Sequence, residues 1–297
     1  MEAGTDTRRL PRWMRQTTGQ DLQARAFVAG GALAMLDAAL HHGTAPQAVL
    51  RDRLALTAAQ SALRLEGRTD PLSALRDAVC LSTGMGDAGP SGAMAMRWQA
   101  LGRLKLSGSG WQRNLKALCP DGFELPQPGS GLTPLHQASQ VIQDCLTAAP
   151  RHEATALMLG EVTLARAMGW AAPLPLLTPY LQRRDLVALQ GSGDVTPVMD
   201  AAVSGAAACM TLNSTLSERA ARLHAALPRL RSKGAAAAAA LFLTRDAVAP
   251  TLMLAPIVQG SAVAMSDRAA RRLCDRLVTL GVLRELTGRS VFRLYGL

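Results

Sequence analysis

Apolar residues return every three or four positions through most of the first 228 residues of this chain, and nothing before Val282 alternates as a strand would. Leu54, Leu56, Ala59, Leu63 and Leu65 form one such series, and Leu135, Val141, Ile142 and Cys145 another. That spacing gathers apolar side chains on one face of an α-helix, so the fold must bury helix against helix. Composition agrees, because Ala and Leu recur everywhere while aromatic residues make up 3% of the chain. Helix starts are announced by a capping residue just ahead of a proline, as in Thr44 with Pro46, Asp70 with Pro71 and Thr133 with Pro134. The pattern predicts helices over 21–41, 46–66, 71–81, 91–104, 134–148, 151–168, 174–184 and 196–227, separated by Gly/Ser/Pro-rich loops.

A chain of 297 residues exceeds the usual size of a single core. Pro228 to Gly234 (PRLRSKG) is the best boundary, since proline ends one long helical pattern and a charged, Gly-terminated stretch precedes the next. The fold class expected is mainly α: a multi-helix N-terminal domain over 1–228, then a small winged helix with a β-hairpin over 229–297. No shared signature of 34 to 40 residues supports a helical repeat.

The C-terminal segment carries the one pattern that points to a partner. Ala235 to Asp246 predicts a first helix, Pro250 to Val258 has room for a short second one, and Gly260 and Ser261 make a turn. Ser266 then caps a third helix, with Asp267 in its first turn. Ala270, Leu273, Cys274, Leu277 and Leu280 form its packing stripe, and Arg268, Arg271, Arg272, Asp275 and Thr279 fall on the opposite side. Leu283 and Leu286 lead to a Thr287-Gly288 turn and to an expected amphipathic strand through Val291, Phe292, Leu294 and Tyr295. An N-terminal cluster of arginines on a helix that follows a turn suits the major groove, and Arg289 is placed as a wing residue for a minor groove or a phosphate. The candidate DNA-binding residues are therefore Ser266, Arg268, Arg271, Arg272, Arg276, Arg289 and Arg293.

Charge supports that choice. Residues 229–297 hold 11 Lys/Arg against 4 Asp/Glu, whereas the other 228 residues hold 21 against 18, so most of the net +10 sits in the last quarter. Asp275 and Glu285 dilute the field and are expected to pair with Arg271 or Arg272.

Chemistry of other kinds finds no anchor. GMGDAG at Gly84 has the spacing of a dinucleotide loop, but a helix rather than a strand precedes it. Neither a Gly-Lys-Ser/Thr phosphate loop nor a G-x-S-x-G elbow is present, and the five histidines form no zinc pattern. Asp37 and His41 could make half a metal site and read instead as an ordinary helix-end pair. Glu153 and Glu161 share a helix, where Arg151 and Arg166 suggest surface pairing. The five scattered cysteines predict neither disulfides nor a metal knuckle, and Trp98, Trp111 and Trp170 read as core anchors. No cofactor, metal or catalytic residue is expected, no apolar stretch is long enough to span a membrane, and a reducing cytoplasm is the expected location.

As a whole the chain resembles an uncharacterised family of bacterial proteins of unknown function. The likeness rests on AFVAGGALAMLDAAL near the start, DPLSALRDA at Asp70, GPSGAMAMRWQAL at Gly89, MGWAAPLPLL at Met168, ERAARLHAALPRLRSKG at Glu218 and the segment from Met265 to Leu297. It implies a bacterial cytosolic protein and carries over no functional residue. The stretch from Asp185 to Thr196 is irregular beside the rest. The function expected is duplex DNA binding, as in a transcriptional regulator, with a homodimer on two half-sites. The alternative is a winged helix that docks on a protein partner, without enzymatic activity.

Overall fold

The computed structural model describes residues 9–15, 21–85, 88–120, 123–127, 129–230, 233–289 and 291–297. Among these, the chain is mainly α. The helices are α1 (Leu22–His42), α2 (Gln47–Leu65), α3 (Leu72–Met85), α4 (Gly89–Gly102), α5 (Trp111–Lys116), α6 (Pro134–Ala148), α7 (Glu153–Ala167), α8 (Arg183–Ser192), α9 (Thr196–Ala226), α10 (Ala235–Phe242) and α11 (Asp267–Thr279). The strands β1 (Arg284–Glu285) and β2 (Tyr295–Gly296) pair antiparallel, with Arg284 opposite Gly296 and Glu285 opposite Tyr295. None of the helices is long and apolar enough to cross a membrane, among the described residues.

Local signals explain several helix starts. Asp21 accepts from the Ala24 N–H at 2.8 Å, and Thr133, ahead of Pro134, accepts from the His136 N–H. Thr44 does not cap α2: Pro46 itself stands at the cap position, with no side-chain bond there. The motif GMGDAG bridges α3 and α4, so a helix does precede it, although Gly86 and Asp87 lie outside the described residues. Arg231 and Ser232 of the boundary segment lie outside them too.

Helices pack in pairs around α2. It touches α3, α4, α7 and α9, while α6 lies on α7 and α1 on α9. Leu50, Ala55, Leu56, Ala58, Ala59, Ala62 and Leu63 of α2 are buried, as its helical period requires. Trp98 is fully buried and Trp170 nearly so, its Nε1 donating to Asp37 at 2.8 Å, whereas Trp111 is half-buried beneath Arg166, whose guanidinium lies 4.0 Å from its ring centre. The buried core runs without a break into the last quarter of the chain, where Phe242, Val248, Leu254, Leu273, Cys274, Leu277 and Tyr295 belong to the same cluster.

The helix expected over 174–184 is absent, and the reason is tertiary. Glu161 on α7 is completely buried and accepts from the Leu176, Leu177 and Thr178 N–H groups and the Thr178 hydroxyl, at 2.8 to 3.0 Å. Those N–H groups are therefore not free to serve a helix, and Pro173, Pro175 and Pro179 have none to give. On its other side this strap meets Gly205 of α9, where any Cβ would overlap the Leu176 carbonyl. Glu153 pairs with Arg183 at 2.9 Å rather than with Arg151 or Arg166, and Glu161 makes no surface pair. The stretch after Asp185, irregular by its sequence, is helical: Gln182 and Asp185 form a capping box and left-handed Gly193 closes α8.

Candidate nucleic-acid interface

α11 forms as its sequence predicts. Ser266 accepts from the Ala269 N–H at 3.3 Å, and Ala270, Leu273, Cys274 and Leu277 are buried. Leu280, expected in that stripe, sits past the end of the helix and is 36% exposed. The hairpin is shorter than expected, because only the Arg284–Gly296 and Glu285–Tyr295 pairs form. Val291 and Phe292 are no strand residues: they are 63% and 66% exposed, and Phe292 adopts a left-handed φ of 52°. Tyr295 uses its other backbone edge on Val248, with bonds of 2.8 and 3.0 Å, so a third extended segment joins the pair.

The seven candidate residues do not share one surface. Ser266, Arg268, Arg272 and Arg276 line an open groove of about 550 Å³ together with Arg229 and Leu230, at the end of the short turn Leu227–Arg229 that follows α9. Positions 268, 272 and 276 recur every fourth residue, which stacks them along one side of α11. Arg229, Arg268, Arg272 and Arg276 are exposed and have no ion pair among the described residues. Arg271 instead holds Asp267 at 2.6 Å on a different side of the helix. It lines a second hollow, of about 420 Å³, with Asp275, Val291, Phe292, Arg293 and Tyr295.

The two hairpin arginines among the candidates, Arg289 and Arg293, are committed. Arg289 reaches Asp77 of α3 at 2.6 Å, which ties the hairpin tip to the helical body and leaves it less free than a wing residue is expected to be. Arg293 donates to the Arg289 carbonyl at 2.9 Å, and the nearby Tyr295 raises its guanidinium pKa above the ordinary value. The two diluting acids do not pair with Arg271 or Arg272. Asp275 accepts from the Tyr295 hydroxyl at 3.3 Å, and Glu285 accepts from Thr287 and from the Gly288 N–H. Burial works to raise the Glu285 pKa, but those hydrogen bonds and Arg293 outweigh it and hold the carboxyl below its usual range.

A polar seam that no local motif announces joins this segment to the body. Asp246, 4% exposed, accepts from Arg53 of α2 and Arg76 of α3, each at 2.7 Å. Asp52 takes a bidentate grip from Arg103, Nε to Oδ1 at 3.1 Å and Nη2 to Oδ2 at 2.6 Å, and burial raises its pKa despite that partner. Both carboxylates border a cavity of about 70 Å³ with Cys80, Gln99, Arg245 and Gln259. Burial, aided by Asp246, pushes the Cys80 thiol up to about 12, so it stays protonated at neutral pH and is a poor nucleophile. With acids paired and room for a few waters at most, the seam is built to clamp the two parts together. Among the described residues, no three His, Cys, Asp or Glu side chains gather as a metal site would need.

Sequence reasoning missed Arg229 as a groove residue, although its basic surroundings in PRLRSKG were a signal. The seam partners, 170 residues apart for Arg76 and Asp246, left none.

Fold and site together define an α-helical protein whose C-terminal helix and hairpin are clamped to a helical body and present an arginine groove. The chain belongs to the family described as "Protein of unknown function (DUF1403)", whose model matches residues 2–297. No curated protein and no solved structure matches it.

Proposed function

We propose that this protein binds duplex DNA through a C-terminal winged helix, with α11 as the helix that meets the groove. The observation that carries the reading is the set of arginines 229, 268, 272 and 276 on one open face with no acidic partner among the described residues. Guanidinium groups left without carboxylates are suited to phosphates and guanine edges. The element order supports it: α10, the helical turn Pro250–Leu254, a capped α11 and a hairpin, with Val248 bonded to the outer edge of Tyr295 in a single antiparallel bridge. The contacts fall to Ser266, Arg268, Arg272, Arg276 and Arg229, while Asp77 holds Arg289, Asp267 holds Arg271 and the Arg289 carbonyl holds Arg293. Two copies on two half-sites would supply the area one module lacks, as transcriptional regulators commonly do.

Duplexes selected by the full-length protein from a random pool, followed by fluorescence anisotropy across a salt titration, test the reading. Replacing Arg268, Arg272 and Arg276 with Ala should weaken binding and flatten the log-log salt slope by about 0.9 for each phosphate no longer neutralised. Wild-type behaviour of that triple variant would sink it. The exposure of Val291 and Phe292 favours a second reading, a hairpin that docks on protein. Loss of a co-purifying partner from Phe292→Asp, with no duplex retained by the wild-type protein at low salt, would select that reading.

A further inference from the structure

Three helices each turn one face toward a cavity of about 180 Å³ in the helical body. Trp111 and Leu115 of α5 stand four residues apart, as do Gln137 and Val141 of α6. On α7, Leu159, Val162 and Arg166 follow at spacings of three and four, so each set shares one side of its helix. Leu115, Val141, Leu159 and Val162 are buried and give the cavity an apolar floor. Leu125, Pro126 and Gln127 line it from the loop ahead of α6.

The mouth is polar, and its charge is positive. Among the described residues, Arg166 alone of those that line the cavity is charged, and it is exposed and makes no ion pair. Its guanidinium lies 4.0 Å from the Trp111 ring centre, a contact that orients the planar group and leaves its N–H edges for another partner. Gln127 is exposed and makes no hydrogen bond among the described residues, so its amide is a further donor. The Gln137 amide nitrogen is tied to the Leu132 carbonyl at 2.8 Å, which leaves its own carbonyl oxygen as an acceptor unsuited to a second anionic group.

An apolar cavity of about 150 Å³ takes up a benzene ring, so this one has room for a single ring with its substituent at the mouth. Trp111 adds an aromatic wall against which such a ring packs favourably. A guanidinium fork matches a carboxylate in two parallel bonds, and one positive charge answers one carboxylate but only half of a phosphate dianion. We propose that the cavity between α5, α6 and α7 binds a small aromatic monocarboxylate, with its ring on the apolar floor and its carboxylate on the free edge of Arg166. The bound acid would tie α5 and the 125–127 loop to α6 and α7 and stabilise the helical body. The site shares no residue with the α11 groove and stands or falls apart from the duplex reading.

Benzoate added to the full chain at constant ionic strength is the probe, read by calorimetric titration and thermal melting, with benzamide as its uncharged counterpart. Saturable benzoate binding and a raised melting temperature are expected, with benzamide at least about tenfold weaker. Arg166→Gln should lower the benzoate affinity at least about tenfold, to the level of benzamide. Ala167→Phe, at an exposed position that lines the cavity, should block both ligands, whereas Arg268→Gln in the α11 groove should change neither. Ala167→Phe decides the matter if Arg166→Gln fails to fold. No saturable benzoate binding, benzamide binding as tight as benzoate, or benzoate binding that survives both cavity variants would overturn the proposal.

Discussion

Glu161 in the helical body and the arginine face of α11 are both concentrations of charge, and they treat it in opposite ways. Glu161 has no exposure at all, and four donors converge on its two oxygens. Arg268, Arg272 and Arg276 stand in solvent with no ion pair among the described residues. A carboxylate whose partners all lie within its own chain is structural: it replaces the helix that 174–184 would otherwise have formed. Exposed cations without internal partners add little to folding.

Three measurements put that contrast at risk. The largest effect is expected from Glu161→Ala, which strands three buried N–H groups; the cost should be about 3 kcal/mol or more, from about 1–3 kcal/mol for each group left unsatisfied. Denaturant unfolding reads it, and a loss below about 1 kcal/mol would show that the strap is held by packing alone. By contrast, the Arg268, Arg272 and Arg276 variants should leave stability within about 0.5 kcal/mol of wild type, as surface changes do.

The second effect concerns pH. Burial raises the Glu161 carboxyl from 4.5 to about 7 against the four hydrogen bonds that favour its charged form. A folded-state pKa above the unfolded one means that the folded state keeps its proton where the unfolded chain loses it. The stabilisation is thus complete below about 4.5, declines as pH rises, and is gone above about 7. The melting temperature of wild type relative to Glu161→Gln should fall across that window; a difference that does not vary with pH would show that Glu161 keeps one protonation state throughout.

The smallest effect is expected at the link between the two regions. Asp77→Asn removes the partner of Arg289 at a half-exposed pair, worth about 0.2–1 kcal/mol. If duplex binding is as proposed, freeing Arg289 should also tighten it and steepen its salt dependence by up to about 0.9. Unchanged duplex affinity would show that the hairpin tip stays clear of the nucleic acid.

Much of the fold is legible in the sequence because it is local. The spacing of Leu54, Leu56, Ala59, Leu63 and Leu65 identifies α2, and the Ser266 cap with the Ala270–Leu273–Cys274–Leu277 stripe identifies α11. Local preference misleads where a distant residue overrules it. Leu174, Leu176 and Leu177 look helical, but the backbone N–H groups of Leu176 and Leu177 are held by Glu161; Val291 and Phe292 look like part of an amphipathic strand but are exposed and unpaired with β1. The arginines of α11 can be placed on one helix from spacing alone. Their division between a groove and an Asp267 pair, and the capture of Arg289 by Asp77, depend on three-dimensional neighbours.

The helical class, most element ends and the buried face of α11 follow from the order of residues alone, because each depends on side chains within a turn or two of one another. Which charges are spent and which are left over is a tertiary matter. Asp246 meets Arg53 and Arg76 across more than half the chain. Such encounters depend on how whole helices pack, and a packing of helices is not written in the spacing of any one of them.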